Sequence, residues 1–351
     1  MSPALSARRT DALGPADVQS PFVARWLWTM AALVLLMVVI GGATRLTGSG
    51  LSITEWRPVT GAIPPLSAAD WASEFEKYRA SPQYQLLNQG MSLAEFQFIY
   101  WWEWGHRQLG RFIGLAHVAG LVLSIAAGWV TRRLGVVLFL MGLLLGGQGA
   151  VGWIMVASGL KPGMIAVAPV KLTLHLGLAS LYLATLVFVA TRIGGTRDTV
   201  ESPRGAALWL WGLIFLQILL GGLVAGSRAG FTYNTWPLMD GALIPSLDKL
   251  FVVVPWIENF VDNPTMVQFN HRMLAYGVLA VGVVQALALR RRLPGAAPAR
   301  RATAIAAVLL VQVALGIVTL LLSVPLWAGL AHQALAMVVL VKATVHLARI
   351  A

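Results

Sequence analysis

Apolar residues in this chain come in long blocks rather than stripes. Eight blocks, at 25–47, 105–130, 134–157, 170–192, 206–227, 267–289, 302–323 and 328–349, carry few charged side chains. About 20 such residues form a helix long enough to cross the hydrocarbon core of a bilayer. A strand of a membrane barrel needs only about 10, and a water-soluble helix would be polar on one face. The pattern therefore predicts an all-α polytopic membrane protein with eight transmembrane helices. An even number of spans puts both termini on one side. On that side lie Arg8, Arg9 and Arg25, then Arg132 and Arg133, then Arg192, Arg197 and Arg204, then "RRRLPGAAPARR" at 290–301. The opposite loops, 48–104, 158–169, 228–266 and the short "VPLWAG", are poorer in basic residues for their length. Basic loops stay in the cytoplasm, so the termini are expected there and the long loops outside. Residues 1–24 are polar, lack the apolar centre of a signal peptide and read as a cytoplasmic tail.

The blocks repeat. "GGATRLTGSGLSITEWRPVTGAIPP" (41–65) aligns with "GGLVAGSRAGFTYNTWPLMDGALIP" (221–245), matching Gly41 with Gly221, Gly42 with Gly222, Gly50 with Gly230, Trp56 with Trp236 and Gly61 with Gly241. Further on "GHRQLGR" answers "NHRMLAY", "QGAVGWI" answers "QVALGIV" and "LHLGLAS" answers "AHQALAM". Four spans per repeat preserve orientation. This predicts two tandem four-helix bundles related by a pseudo-two-fold axis along the membrane normal. Residues 25–195 would form the first unit, 196–205 a cytoplasmic linker and 206–351 the second unit.

Composition agrees. Of 351 residues 58% are hydrophobic and 11% charged, and the mean hydropathy is +0.74. The net charge of +12 sits in short loops and marks topology rather than a nucleic-acid face. Cysteine is absent, which removes disulfides, thiolate ligands and cysteine nucleophiles.

Histidine carries the candidate chemistry. Four of the six occupy matched repeat positions: His106 and His271 on the second and sixth spans, His175 and His332 on the fourth and eighth. Each lies near the external end of its helix, and ionisable groups at membrane depth face a bundle interior. A pair of imidazoles across a four-helix bundle suits a haem iron, one between His106 and His175 and one between His271 and His332. The plainer alternative is a hydrogen bond to a neighbouring helix. Zinc would need a third and fourth ligand that neither unit offers at that level. His117, about 16 Å deeper than His106, and His346 have no matched partners and read as structural. Both haem sites would lie side by side in the outer half of the membrane, unlike a carrier that stacks haems across the bilayer.

The halves differ beside the first ligand of each pair. Glu103 precedes His106 by one turn, and Gln268 precedes His271. A carboxylate can take a proton or balance charge where an amide only hydrogen-bonds, so the first site reads as reactive and the second as a fixed cofactor site. Pairing of Glu103 with Arg107 is the alternative. Arg107 and Arg272 suit haem propionates or interfacial anchoring. Trp101, Trp102 and Trp104 suit an aromatic belt, and Gln148 and Gln312 interhelical hydrogen bonds. The Gly-, Pro- and Trp-rich segments 48–65 and 228–245 are expected to fold over the bundle mouths, and Ser92 to Glu95 forms a capping box. No phosphate loop, Ser–His–Asp set, di-metal carboxylate cluster or nucleic-acid motif is present.

"EFQFIYWWEWGHRQLGR", "GGATRLTGSGLSITEW", "NTWPLMDGALIP" and "FNHRMLAYG" resemble haem A synthases, in the branch shared by alphaproteobacteria and mitochondria. The resemblance covers nearly all of the chain after about residue 22. It implies an oxidoreductase of the bacterial inner membrane that serves cytochrome c oxidase assembly. Successive hydroxylation of the C8 methyl group of haem O would give a gem-diol, which loses water to leave the formyl group of haem A. It also implies that His271 and His332 ligate a haem b, that His106 and His175 bind the substrate haem, and that Glu103 is the catalytic carboxylate. Some bacterial members carry loop cysteines tied to redox delivery, a route closed here. The implied partners are haem O, an electron donor the sequence does not identify and the lipid bilayer, with haem O synthase and a second copy of the chain left open. A di-haem b protein oxidising quinol, and a haem carrier, are the competing readings.

Overall fold

The computed structural model describes residues 13–195, 197–200 and 202–350. All eight expected spans are helices: Pro21–Leu46, Leu93–Ala126, Arg132–Gly159, Pro169–Ile193, Arg204–Gly226, Pro264–Arg292, Ala297–Leu321 and Leu326–Arg349. They are numbered one to eight below. Proline opens the first, fourth and sixth, where its missing N–H costs nothing. Ser20, Thr131 and Asn263 cap the first, third and sixth by accepting a hydrogen bond from a backbone N–H of the first turn.

The second span departs from expectation. It starts at Leu93, not near 105, because the Ser92–Glu95 capping box forms and helix continues beyond the apolar block. Those added turns are covered by protein instead of lipid. Phe96, Ile99 and Tyr100 pack with Ile53 and Tyr78 into a separate core under the short helix Ala68–Arg79, itself opened by a Ser67–Asp70 capping box. Each such buried side chain contributes about 1.5–3 kcal/mol.

Within each half the spans close into a ring. Spans one, two, three and four are neighbours in turn, as are five, six, seven and eight. Between the halves, span four packs on five, span one on eight, and span four on eight. Small residues permit this close approach. A methyl on Gly42 would lie 2.2 Å from Gln333 Oε1, and the Gln333 amide donates to Val38 O at 2.9 Å. A methyl on Gly222, the repeat mate of Gly42, would meet Thr173 Oγ1 at 3.1 Å and Leu176 at 3.4 Å. The rings differ in tightness: the backbones of spans two and three come close at fewer points than those of any other adjacent pair, whereas six and seven are closely packed. Leu115, Val122 and Leu143 point outward from this seam.

Both described ends of the chain lie at one end of the molecule. Arg192 donates to Leu13 O at 2.9 Å, Asp17 accepts from Thr131, and Asp198 N–H donates to Arg349 O. The tail expected over 1–24 is described only from Leu13, and its first twelve residues lie outside the described set. Span one takes up its last residues from Pro21. Residues 196 and 201, within the linker expected at 196–205, are also outside it.

Candidate functional site

The four matched histidines share one setting, built from a glycine on the neighbouring span. A methyl on Gly41 (span one) would lie 2.9 Å from His106 Cε1, and one on Gly152 (span three) 2.8 Å from His175 Cε1. In the second half a methyl on Gly221 (span five) would lie 3.4 Å from His271 Cε1, and one on Gly316 (span seven) 2.8 Å from His332 Cε1. Gly41 and Gly221 are repeat mates, as are Gly152 and Gly316. Each imidazole edge therefore lies against bare helix backbone. All four rings keep partial accessibility inside a helical ring, while His117 and His346 are fully buried. The matched histidines are thus partly accessible, and the other two fill core.

Partners of the ring nitrogens separate the halves. Nδ1 of His106 and of His175 is buried without a hydrogen-bond partner. In the second half the Gln217 amide lies 3.0 Å from His271 Nδ1 and donates to His271 O at 3.0 Å. The Gln312 amide lies 3.2 Å from His332 Nδ1 and donates to His332 O at 3.0 Å. Gln312 thus makes the interhelical hydrogen bond expected of it, to the backbone of His332 on the next span. Gln217 escaped the sequence reading. At the offset that joins Gly41 to Gly221 it faces Met37, and that replacement was its only signal. Met37 rests its methyl against Gly110, one turn from His106.

Above each ring a loop is clamped by the residues flanking the first histidine. Arg107 donates to Ile53 O at 2.8 Å, and Arg272 donates to Tyr233 O at 2.8 Å. Ile53 and Tyr233 are repeat mates, so the clamp is duplicated. Gln268 adds bonds to Ala229 O at 2.8 Å and Tyr233 O at 3.2 Å. Lower on the same faces Arg111 donates to Pro58 O and Arg57 O, and Tyr276 accepts from Trp236 Nε1. The segments 48–65 and 228–245 are thereby held over their bundles.

Glu103 is 2% exposed and tied through both oxygens. Oε2 accepts from Ser52 Oγ and Ile53 N, each at 2.8 Å; Oε1 accepts from Arg107 Nη2 at 2.6 Å and Nε at 3.1 Å. Four hydrogen bonds, two on each oxygen, fix the carboxylate in place. The pairing with Arg107, weighed as the alternative, is present. Arg107 also donates to Glu55 O, which commits its guanidinium to protein groups. Arg272 differs: its Nε and Nη1 are buried without partners, leaving a cation with two free donors. Trp104 Nε1 is likewise buried without a partner, and Trp101 packs on Trp71 and Trp104.

His117 is a structural tie. Its Nε2 lies 3.0 Å from Leu138 O, which can only accept, so Nδ1 takes the proton of Tyr182 OH at 2.8 Å. This joins spans two, three and four. His346 is buried with neither ring nitrogen partnered.

Among the described residues no three His, Cys, Asp or Glu side chains gather as a metal cluster. Paired, glycine-backed and partly accessible histidines fit a haem iron, which each pair would hold.

Comparison with known proteins supplies independent bearings. Residues 24–344 match the family described as cytochrome oxidase assembly protein. A heme A synthase of Methylobacterium nodulans is 63% identical over 92% of this chain and 89% of its own. One from Methylobacterium sp. strain 4-46 is 61% identical over 92% and 91%. One from Brucella anthropi is 48% identical over 94% and 92%.

Proposed function

The chain belongs to the cytochrome oxidase assembly protein family, and we propose that this member oxidises the C8 methyl group of haem O to the formyl group of haem A. It is a multi-pass membrane enzyme, and the reaction supplies haem A for cytochrome oxidase assembly. The observation that carries the reading is the pair of glycine-backed histidine pairs, one per ring, in a chain similar over nearly its whole length to heme A synthases.

The first ring takes the substrate: His106 and His175 hold the iron of haem O, and the clamped loop 48–65 limits water above it. The second ring takes a resident haem b on His271 and His332, which supplies one-electron redox chemistry when bound. Arg272, with two unshared donors, receives a propionate there. Arg107 spends four of its five N–H donors on Glu103, Ile53 O and Glu55 O, which leaves one Nη1–H for a propionate at the first site. Glu103 is the catalytic carboxylate, held in place by Arg107 one turn from His106. Its mate Gln268 performs the clamp without the charge.

The two rings act as units 25–195 and 206–351 about a pseudo-two-fold axis, with both termini cytoplasmic and the haem sites in the outer half of the inner membrane. The assignment calls for a source of haem O and for an electron donor. Pigment extraction and chromatography of the purified protein test it. Haem b accompanied by haem O, a hydroxylated intermediate or haem A is expected. Haem b alone, unchanged after haem O and reductant are added, would show a di-haem electron carrier instead.

A further inference from the structure

Haem O carries a hydroxyethylfarnesyl chain where haem b has a vinyl group, so two rings that sort these haems must differ where that chain goes. Resting on the assignment of the substrate haem to His106/His175 and of haem b to His271/His332, we propose that a glycine-lined window between spans two and three seats the isoprenoid chain. Leu279, Leu310 and Val313 occupy the same place in the second ring and exclude it.

The window lies between two closed levels. Deep in the seam His117 Nε2 is 3.0 Å from Leu138 O, and a methyl on Gly142 would lie 3.0 Å from that same nitrogen. At the outer end Trp153 packs on Trp56 of the clamped loop, with ring centroids 6.1 Å apart. Gly146 and Gly149 follow Gly142 by four and seven positions, and Gly114 precedes His117 by three, so all three stand on the faces that meet at the seam. Among the described residues, no neighbouring atom lies within 4 Å of a methyl placed on Gly114, Gly146 or Gly149. The gap is about two helical turns (11 Å) tall. Its upper edge, Gly149, is one turn deeper than Gly152, which backs His175.

The second ring is filled at this place. At the offset that joins His106 to His271, Gly114 is replaced by Leu279, which packs on the central core. At the offset that joins Gln148 to Gln312, Gly146 and Gly149 become Leu310 and Val313. Gly282, the mate of His117, lets spans six and seven approach until a methyl there would lie 2.6 Å from Leu309. The first ring also offers the chain a polar partner. Gln148 precedes Gly152 by four positions and shares the face that backs His175, and its Oε1 is buried without a donor. The hydroxyl at the root of the haem O chain is such a donor, and haem b has none there. A chain seated this way fixes the rotation of the haem in its own plane, and so which methyl group is presented for oxidation.

The protein contains no cysteine, so Gly146→Cys in the full-length chain places a single thiol in the window. Added haem O should slow its reaction with a membrane-permeant maleimide, and added haem b should not. Gly146→Leu with Gly149→Val, which copies the second ring, should lose haem O and haem A from the purified protein while haem b content and melting temperature stay native. Leu310→Ala with Val313→Ala should admit haem O to the second ring, seen as haem O replacing part of the haem b in extracted pigment. A glycine face that serves only helix packing predicts neither protection of the thiol nor exchange of pigment. The proposal is overturned if the thiol reacts at one rate with and without haem O, or if the filled window keeps native amounts of haem O plus haem A. Haem A formed normally with the window filled would sink this inference alone. Absence of haem O and haem A from native protein would instead sink the functional assignment.

Discussion

Gly316 and Gly221 back the two ligands of the same proposed haem b, but at different distances, and that difference is measurable. A methyl on Gly316 would lie 2.8 Å from His332 Cε1, whereas one on Gly221 would lie 3.4 Å from His271 Cε1. Carbon atoms rest no closer than about 3.5 Å, so Gly316→Ala forces the His332 ring back by about 0.7 Å, while Gly221→Ala needs almost no movement. Crowding a packed site typically costs about 1–3 kcal/mol, equivalent to about 5- to 150-fold weaker haem retention at His332. Alanine also favours helix over glycine by about 1 kcal/mol, so span seven itself is not weakened by the change. Haem b per protein, measured by pyridine haemochrome after purification, should fall sharply in Gly316→Ala and stay near native in Gly221→Ala. Equal haem content in both variants, or loss confined to Gly221→Ala, would refute the glycine-backed geometry as the basis of ligand placement.

Glu103→Gln should abolish haem A formation in a reconstituted assay while haem b stays bound. It should also lower thermal stability, since removing one partner of a buried ion pair costs up to about 3–5 kcal/mol and Arg107 is left 14% exposed. Retained haem A production would remove Glu103 from the chemistry. His117→Ala should destabilise the protein by about 2–4 kcal/mol through two lost hydrogen bonds and a cavity, with haem b content unchanged; a melting curve and a pigment spectrum decide it. Hydrogen bonds from the Ser67 hydroxyl turn, then from the Ser67 and Leu66 amides, hold the Asp70 carboxyl below its ordinary value of 3.8. Its support is therefore complete above pH 3.8 and lost as pH falls through the lower folded value. Hydrogen exchange of the Ser67–Asp70 turn should accelerate over that acid range in native protein and not in Asp70→Asn.

Lipid made the fold readable. A bilayer accepts little but long apolar helices, so eight blocks gave eight spans, seven of them within a few residues, and duplication matched the histidines in pairs. The second span was misjudged by about three turns because Phe96, Ile99 and Tyr100 are buried by the helix Ala68–Arg79, and apolar blocks report lipid only. At the site, sequence placed Glu103 one turn from His106 but could not show which way the carboxylate turned. Its direction is set by Ser52 and Ile53, about fifty positions away. Arg107 and Arg272 looked equivalent for the same reason, since only contacts reveal that one guanidinium is mostly committed and the other keeps two nitrogens unshared. Gln217 was hidden differently: a lone amide in an apolar block resembles ordinary adhesion until its distance to His271 is known.

The unequal seams of the two rings have a mechanical consequence. Dispersion energy is gained atom by atom at contact, so a helix pair that touches briefly stores little and resists little when pulled apart. Spans two and three form such a pair, and spans six and seven do not. Compliance is thus distributed unevenly through a duplicated architecture: the first ring behaves as the soft spring and the second as the rigid frame.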